Sequence, residues 1–187
     1  MRTALILVWF AVVALPQNPH VLIQTEKGAI EVELDAVHAP VTTKNFLRYV
    51  NAGFYQGGMF HRTVTLQNQP QSTVKIEVIQ AGINPEHSKD VLPPIVLERT
   101  NKTGLHHADG TISMARGLPD SADSDFFICI GDQPELDFGG KRNPDGQGFA
   151  AFGQVVRGMD VVRKIQSSAA SGQTLSPAIR ILSVSEK

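Results

Sequence analysis

DFFI, at Asp125-Phe126-Phe127-Ile128, begins an apolar run that continues through Cys129 and Ile130. The run is short enough for a strand and too short for a helix. Neighbouring side chains of a strand leave on opposite faces, so Phe126 and Phe127 point apart. One is expected in a core and the other on the opposite face of the strand. Two other strings share this strand character. They are Phe60-His61-Arg62 and Gly110-Thr111-Ile112-Ser113-Met114-Ala115.

Residues 29–34 show the half-buried pattern most plainly. Ile30, Val32 and Leu34 alternate with Glu31 and Glu33, the period of a strand with one dry face. Residues 21–25 are its partner across Glu26-Lys27-Gly28, where Gly28 offers a positive φ. A helix is expected near 41–51, with Phe46, Leu47 and Val50 as its stripe. Thr42 or Thr43 would cap it, and Gly53 would end it. Residues 60–66 and 73–80 read as strands around a polar tip at 67–72. Further strands are expected at 111–115, 126–130, 149–155 and 179–184. A second helix falls at 158–166, with Met159, Val162 and Ile165 on one side. Residues 84–94 and the Gly-rich stretch 135–148 read as loops. Many short strands and two helices argue for a mainly β closed antiparallel barrel with a helix over each open end.

At 187 residues the chain suggests one domain with a substantial core. Its formal net charge is −1 with no basic stripe, which disfavours nucleic acid as a partner. Met1-Arg2 precedes an apolar stretch from Ala4 to Leu15. Residues 1–16 therefore read as a signal peptide and 17–187 as the folded domain. The stretch is shorter than the ~20 residues that span a bilayer. Export to a periplasm or the medium is expected, with no membrane attachment after cleavage. The single cysteine, Cys129, has no intramolecular partner and is expected to be a small buried hydrophobe.

Few catalytic constellations are present. There is no GxSxG, HExxH, CxxC or phosphate-binding loop. His106-His107 is expected to be a solvent-exposed loop pair rather than a metal site. Asn143-Pro144-Asp145-Gly146 lacks the alternating carboxylates of a calcium loop and reads as a turn. Neither a cofactor nor a metal is expected.

From about residue 21 to 184 the chain resembles the cyclophilin family of peptidyl-prolyl isomerases. The strings that carry the likeness, in order, are TEKGAIEVELD, APVTTKNFLRYVNAGFYQG, FHR, IQAG, GTISMAR, SDFFI and FGQVVRGMDVV. The family fold is an eight-stranded antiparallel barrel capped by two helices, in agreement with the reading above. The resemblance implies prolyl isomerisation with Arg62 as the catalytic residue. It implies substrate binding by Phe60, Gln80, Ala115, Arg116, Asp125, Phe127, Leu136 and Phe149, with Phe127 in the proline pocket. His61 would face away from Arg62 and be mainly structural. The implied partners are proline-containing polypeptide segments, and a monomer is expected.

Such a catalyst needs little machinery. Rotation about an X-Pro bond meets an amide-resonance barrier of roughly 18–20 kcal/mol. In the twisted state the prolyl nitrogen recovers its lone pair. A guanidinium aimed at that nitrogen favours the twisted form over the planar one. Arginine suits the task because it stays charged and offers a fixed fork of donors.

The chain also departs from the family. The stretch between Arg62 and Gln80 is longer, and an extended hairpin is the expected cause. Glu77 aligns with an apolar pocket position, where a carboxylate must be paired or point away. Arg116, Asp125 and Glu135 replace other family residues, and Glu135 implies weak cyclosporin binding. With Glu77 these would make a charged rim around the groove. Two other readings remain open: a non-catalytic proline-peptide binder or chaperone on the same barrel, and a barrel that carries a small molecule inside.

Overall fold

The computed structural model describes residues 18–187. The expected signal peptide, 1–16, lies outside the described residues. The elements run β1 (His20–Thr25), β2 (Gly28–Leu34), α1 (Pro40–Asn51), β3 (Met59–Val64), β4 (Val78–Gly82), α2 (Thr100–Thr103, a single turn), β5 (Thr111–Met114), β6 (Phe126–Cys129), β7 (Ala150–Arg157), α3 (Met159–Gln166), β8 (Ala170–Ser171) and β9 (Thr174–Glu186). Eight strands join in the order β1-β2-β7-β5-β6-β4-β3-β9, and β9 returns to β1. The result is a closed antiparallel eight-stranded barrel. Among the described residues, closure leaves no long edge strand to recruit another chain. The two-residue β8 pairs only with the start of β9.

The alternation of β2 sets its face. Ile30, Val32 and Leu34 are fully buried. At the β1–β2 turn Gly28 has φ 135°, and a β-carbon there would stand 2.8 Å from Val161. Glycine thus lets α3 close onto the barrel, burying Val161, Val162 and Ile165. Phe46 of α1 meets Phe126 edge-to-face at 5.4 Å and lies 5.3 Å from Phe152. Such offset aromatic packing fills a barrel with few side chains.

Two local expectations are corrected. Neither Thr42 nor Thr43 caps α1. The helix starts at Pro40, and Glu98, far along the chain, accepts from the Val41 and Thr42 amides at 3.1 and 2.7 Å. A carboxylate there satisfies orphan donors and complements the helix dipole. Nor is the stretch after Arg62 a longer hairpin. β3 stops at Val64 and β4 starts at Val78. Residues 65–77 form a compact loop folded around the buried Gln69.

A one-residue bulge matters most for function. Phe60 pairs with Ala81, yet Arg62 pairs with Gln80, so His61 is the extra residue. A bulge re-aims the side chains that follow it. Phe60 and Ala81 face the interior core, while Val64 and Val78 join a second apolar cluster on the outside. Without the bulge, Phe60 and Arg62 would share a face.

Candidate active site

Arg62, Gln80 and Phe127 form one row across β3, β4 and β6. The bulge turns this row outward. The Arg62 guanidinium is held at three points. Nη1 donates to Gln80 Oε1 at 2.9 Å, while Nε and Nη2 donate to Gln173 Oε1 at 3.0 and 2.7 Å. A guanidinium has five N–H groups, so Nη1 and Nη2 each keep a hydrogen for a ligand.

Both acceptors are neutral amides, and each is oriented from behind. Gln80 Nε2 donates to Asp125 Oδ2 at 3.0 Å. Gln173 Nε2 donates to the Asn68 carbonyl at 3.3 Å. A carboxylate and a carbonyl only accept, so both amide oxygens must turn toward Arg62. Arg62 has no carboxylate partner among the described residues. Its positive potential is therefore not cancelled locally. Burial, and after it the charge of Arg142, lowers its pKa. Arginine remains protonated all the same.

Asp125 sits behind the row rather than in it. Gly82 makes room, because a β-carbon there would collide with the Asp125 carboxylate. His61 Nε2 lies 3.7 Å away on the same carboxylate. Burial raises the Asp125 pKa, and the Gln80 hydrogen bond and His61 only partly oppose it.

Beside Arg62 lies an apolar seat made by Phe127, Leu136, Phe149 and Ala115. Phe127 and Phe149 meet edge-on at 5.4 Å. Phe127 is in turn backed by the His107 ring, stacked at 5.9 Å. The expectation that His106 and His107 both face solvent fails for His107, which is 2% exposed. Its Nδ1 lies 2.6 Å from Asp137 Oδ1 and its Nε2 lies 3.0 Å from Ser113 Oγ. This Asp–His–Ser chain has the order of a hydrolytic triad. Ser113, however, is fully buried, so no substrate carbonyl reaches it. The chain braces Phe127 instead.

Seat and guanidinium open into one cavity of about 730 Å³, within the usual range for ligand sites. Among the described residues no group of three or more His, Cys, Asp or Glu is placed to hold a metal.

Residues 20–186 match the family model described as cyclophilin type peptidyl-prolyl cis-trans isomerase/CLD. The chain belongs to this family. Its activity is the family's, cis–trans isomerisation of peptidyl-prolyl bonds. It is 41% identical over 153 residues to peptidyl-prolyl cis-trans isomerase A of Dickeya dadantii, covering 81% of this chain and 73% of that one. It is 36% identical over 150 residues to peptidyl-prolyl cis-trans isomerase B of Escherichia coli, covering 80% and 85%. The barrel is similar to the crystal structure of a Cryptosporidium parvum cyclophilin type peptidyl-prolyl cis-trans isomerase. The TM-score is 0.74 at 21% identity, over 91% of this chain and 98% of that one.

Within this cyclophilin barrel, the cavity gathers every site position named from the sequence except Phe60 and Asp125. Phe60 is fully buried in the interior core, which corrects its placement in the groove; the bulge at His61 is the reason. The expected charged rim does not form either. Arg116 is held by Asp145 at 2.7 and 3.0 Å, and its guanidinium lies 5.1 Å from the Phe149 ring centre. The Asp145 carboxyl is pulled down to about 2 by Arg116. Glu77 turns away to Gln166 at 3.2 Å. Glu135 accepts from the Lys141 amide at 2.7 Å. The sequence marks His107 only as half of an exposed loop pair, and it does not mark Gln173 or Arg142 at all. Their partners lie far along the chain, and no local pattern marks them.

Proposed function

We propose that Arg62 catalyses prolyl rotation by stabilising the twisted amide electrostatically, with the proline ring on the Phe127–Leu136–Phe149 seat. One observation supports this above others. The guanidinium is anchored by two neutral amides, keeps two free N–H groups, and adjoins an apolar surface. Fixed anchors mean that the charge need not reorganise as the amide twists, which is where such preorganisation gains its effect. No proton transfer or covalent intermediate is needed. Flexible or unfolded polypeptides fit an open groove, so assistance to protein folding is part of the proposal. Export rests on the apolar stretch from Ala4 to Leu15, and the mass of the mature N-terminus from the native host checks it.

NMR exchange on an Ala-Pro peptide tests the catalytic role. The parent chain should accelerate cis–trans exchange, and Arg62→Ala should lose on the order of 10²–10³ in kcat/KM, as when a preorganised donor is removed. Peptide shift changes without acceleration by the parent would instead favour the binding-module reading.

A further inference from the structure

The loop at 65–77 is a wall of the groove, and it carries a second unpaired cation to it. Gln69 Nε2 ties the loop together by donating to the Thr65 and Ile76 carbonyls at 2.7 and 2.8 Å. Arg142 reaches across from the facing loop. Its Nη1 meets Gln69 Oε1, Ser72 Oγ and the Val74 carbonyl at 2.9, 2.9 and 2.7 Å. All three acceptors are neutral. Nε and Nη2 of Arg142 have no acceptor among the described residues, and neither is sealed from solvent. Those two nitrogens form the side-on fork that matches a carboxylate in two parallel hydrogen bonds.

The cavity's charge is one-sided. Arg62, Arg116 and Arg142 line it, and among the described residues no aspartate or glutamate does. Arg116 is neutralised by Asp145. Arg62 and Arg142 remain, close enough for the one charge to act on the other. Two half-buried like charges repel, and an anion bound between them relieves both. A concave site lined by one sign also focuses its field on an arriving ligand. This is local, since the chain as a whole carries −1.

We propose that Arg142 and the 65–77 wall form a subsite for an acidic side chain, so that the chain prefers prolyl bonds flanked by aspartate or glutamate. The proposal rests on the reading of the cavity as a prolyl site and names its substrate class. The loop contributes twice. It presents Arg142 through Gln69, and through Asn68 it orients Gln173 on Arg62. Binding at the wall is thereby built onto the same framework as the catalytic guanidinium.

The test scans one residue, as Glu, Gln or Lys, through the positions on either side of Ala-Pro in a short peptide. NMR exchange gives kcat/KM and shift titration gives affinity. At one or more positions Glu should exceed Gln by about tenfold, the worth of one charge-assisted pair, with Lys below Gln. The preference should shrink as salt is raised, collapse in Arg142→Gln, and survive in part in Arg142→Lys. Parent kinetics that treat Glu, Gln and Lys peptides alike at every position would overturn the proposal. So would a Glu preference undiminished in Arg142→Gln. If that variant fails to fold, the three-peptide comparison at low and high salt decides alone. Tighter binding of the Glu peptide without any acceleration would keep the subsite and remove the isomerase role of Arg62.

Discussion

The two faces of β3, β4 and β6 are made of adjacent residues and do opposite things. On the inside, Phe60, Ala81 and Phe126 pack against Phe46 and Tyr55, whose hydroxyl donates to the Ser124 carbonyl at 2.6 Å. On the outside, Arg62, Gln80 and Phe127 carry a charge, an amide and an apolar seat. The inner face makes the barrel stable, and the outer face makes it useful. A single extra residue, His61, keeps the two apart in β3. Stability and catalysis should therefore separate by face.

The largest expected effect is on the inside. Phe126→Ala removes a fully buried ring and should cost about 3–5 kcal/mol in denaturant melts. The surviving folded fraction should still turn over peptide. Lost turnover in protein that is demonstrably folded would break the separation.

Asp137 comes next, as the brace behind the outer face. Burial raises its carboxyl, but the hydrogen bonds from His107 and His106 outweigh burial and leave it below the usual value. A lowered carboxyl gives stability that is present above the unfolded pKa and is lost as pH falls through the folded one. Asp137→Asn should cost about 1–3 kcal/mol at neutral pH. The gap from the parent should close below about pH 4. A gap constant with pH would mean that the charge on Asp137 contributes nothing.

Gln173 sharpens the comparison on the catalytic side. It accepts two of the three anchoring bonds of Arg62 yet lies on the surface turn between β8 and β9. Gln173→Ala should reduce kcat about tenfold, the equivalent of 1.4 kcal/mol, with the melting midpoint nearly unchanged. Gln173→Glu should reduce kcat as well, because a carboxylate there would neutralise Arg62. Full activity in Gln173→Glu would show that the bare charge is not what matters.

Asp125 gives the smallest effect, and its sign is opposite to that of Asp137. Its carboxyl is raised, so its contribution is fully present below the unfolded pKa and fades as pH rises through the folded pKa. Asp125→Asn should gain on the parent across that interval. Two pH–stability profiles that run parallel would contradict the assignment.

Much of the barrel was legible because it obeys simple periods. Ile30, Val32 and Leu34 alternate, and Phe126 and Phe127 split between core and cavity as strand geometry requires. What was not legible depends on partners distant in sequence. Val74, Ile76 and Val78 alternate with Lys75 and Glu77 like a strand, but Gln69 binds the Ile76 backbone and holds the segment as a loop. The bulge at His61 leaves no mark in composition, so nothing local in the sequence shows that Phe60 and Arg62 face opposite ways. Gln173, on a turn far from β3, becomes an anchor only when the barrel closes. The cap on α1 from Glu98 escaped for the same reason.

The central claim is that Arg62 acts on the twisted amide and not on the resting peptide. NMR line-shape analysis of an Ala-Pro peptide, with the parent and with Arg62→Gln, separates the bound-state exchange rate from the affinity. The account predicts a fall of on the order of 10²–10³ in the bound-state rate, with affinity changed by no more than about threefold. A variant that binds far more weakly but rotates its bound peptide as fast as the parent would contradict it.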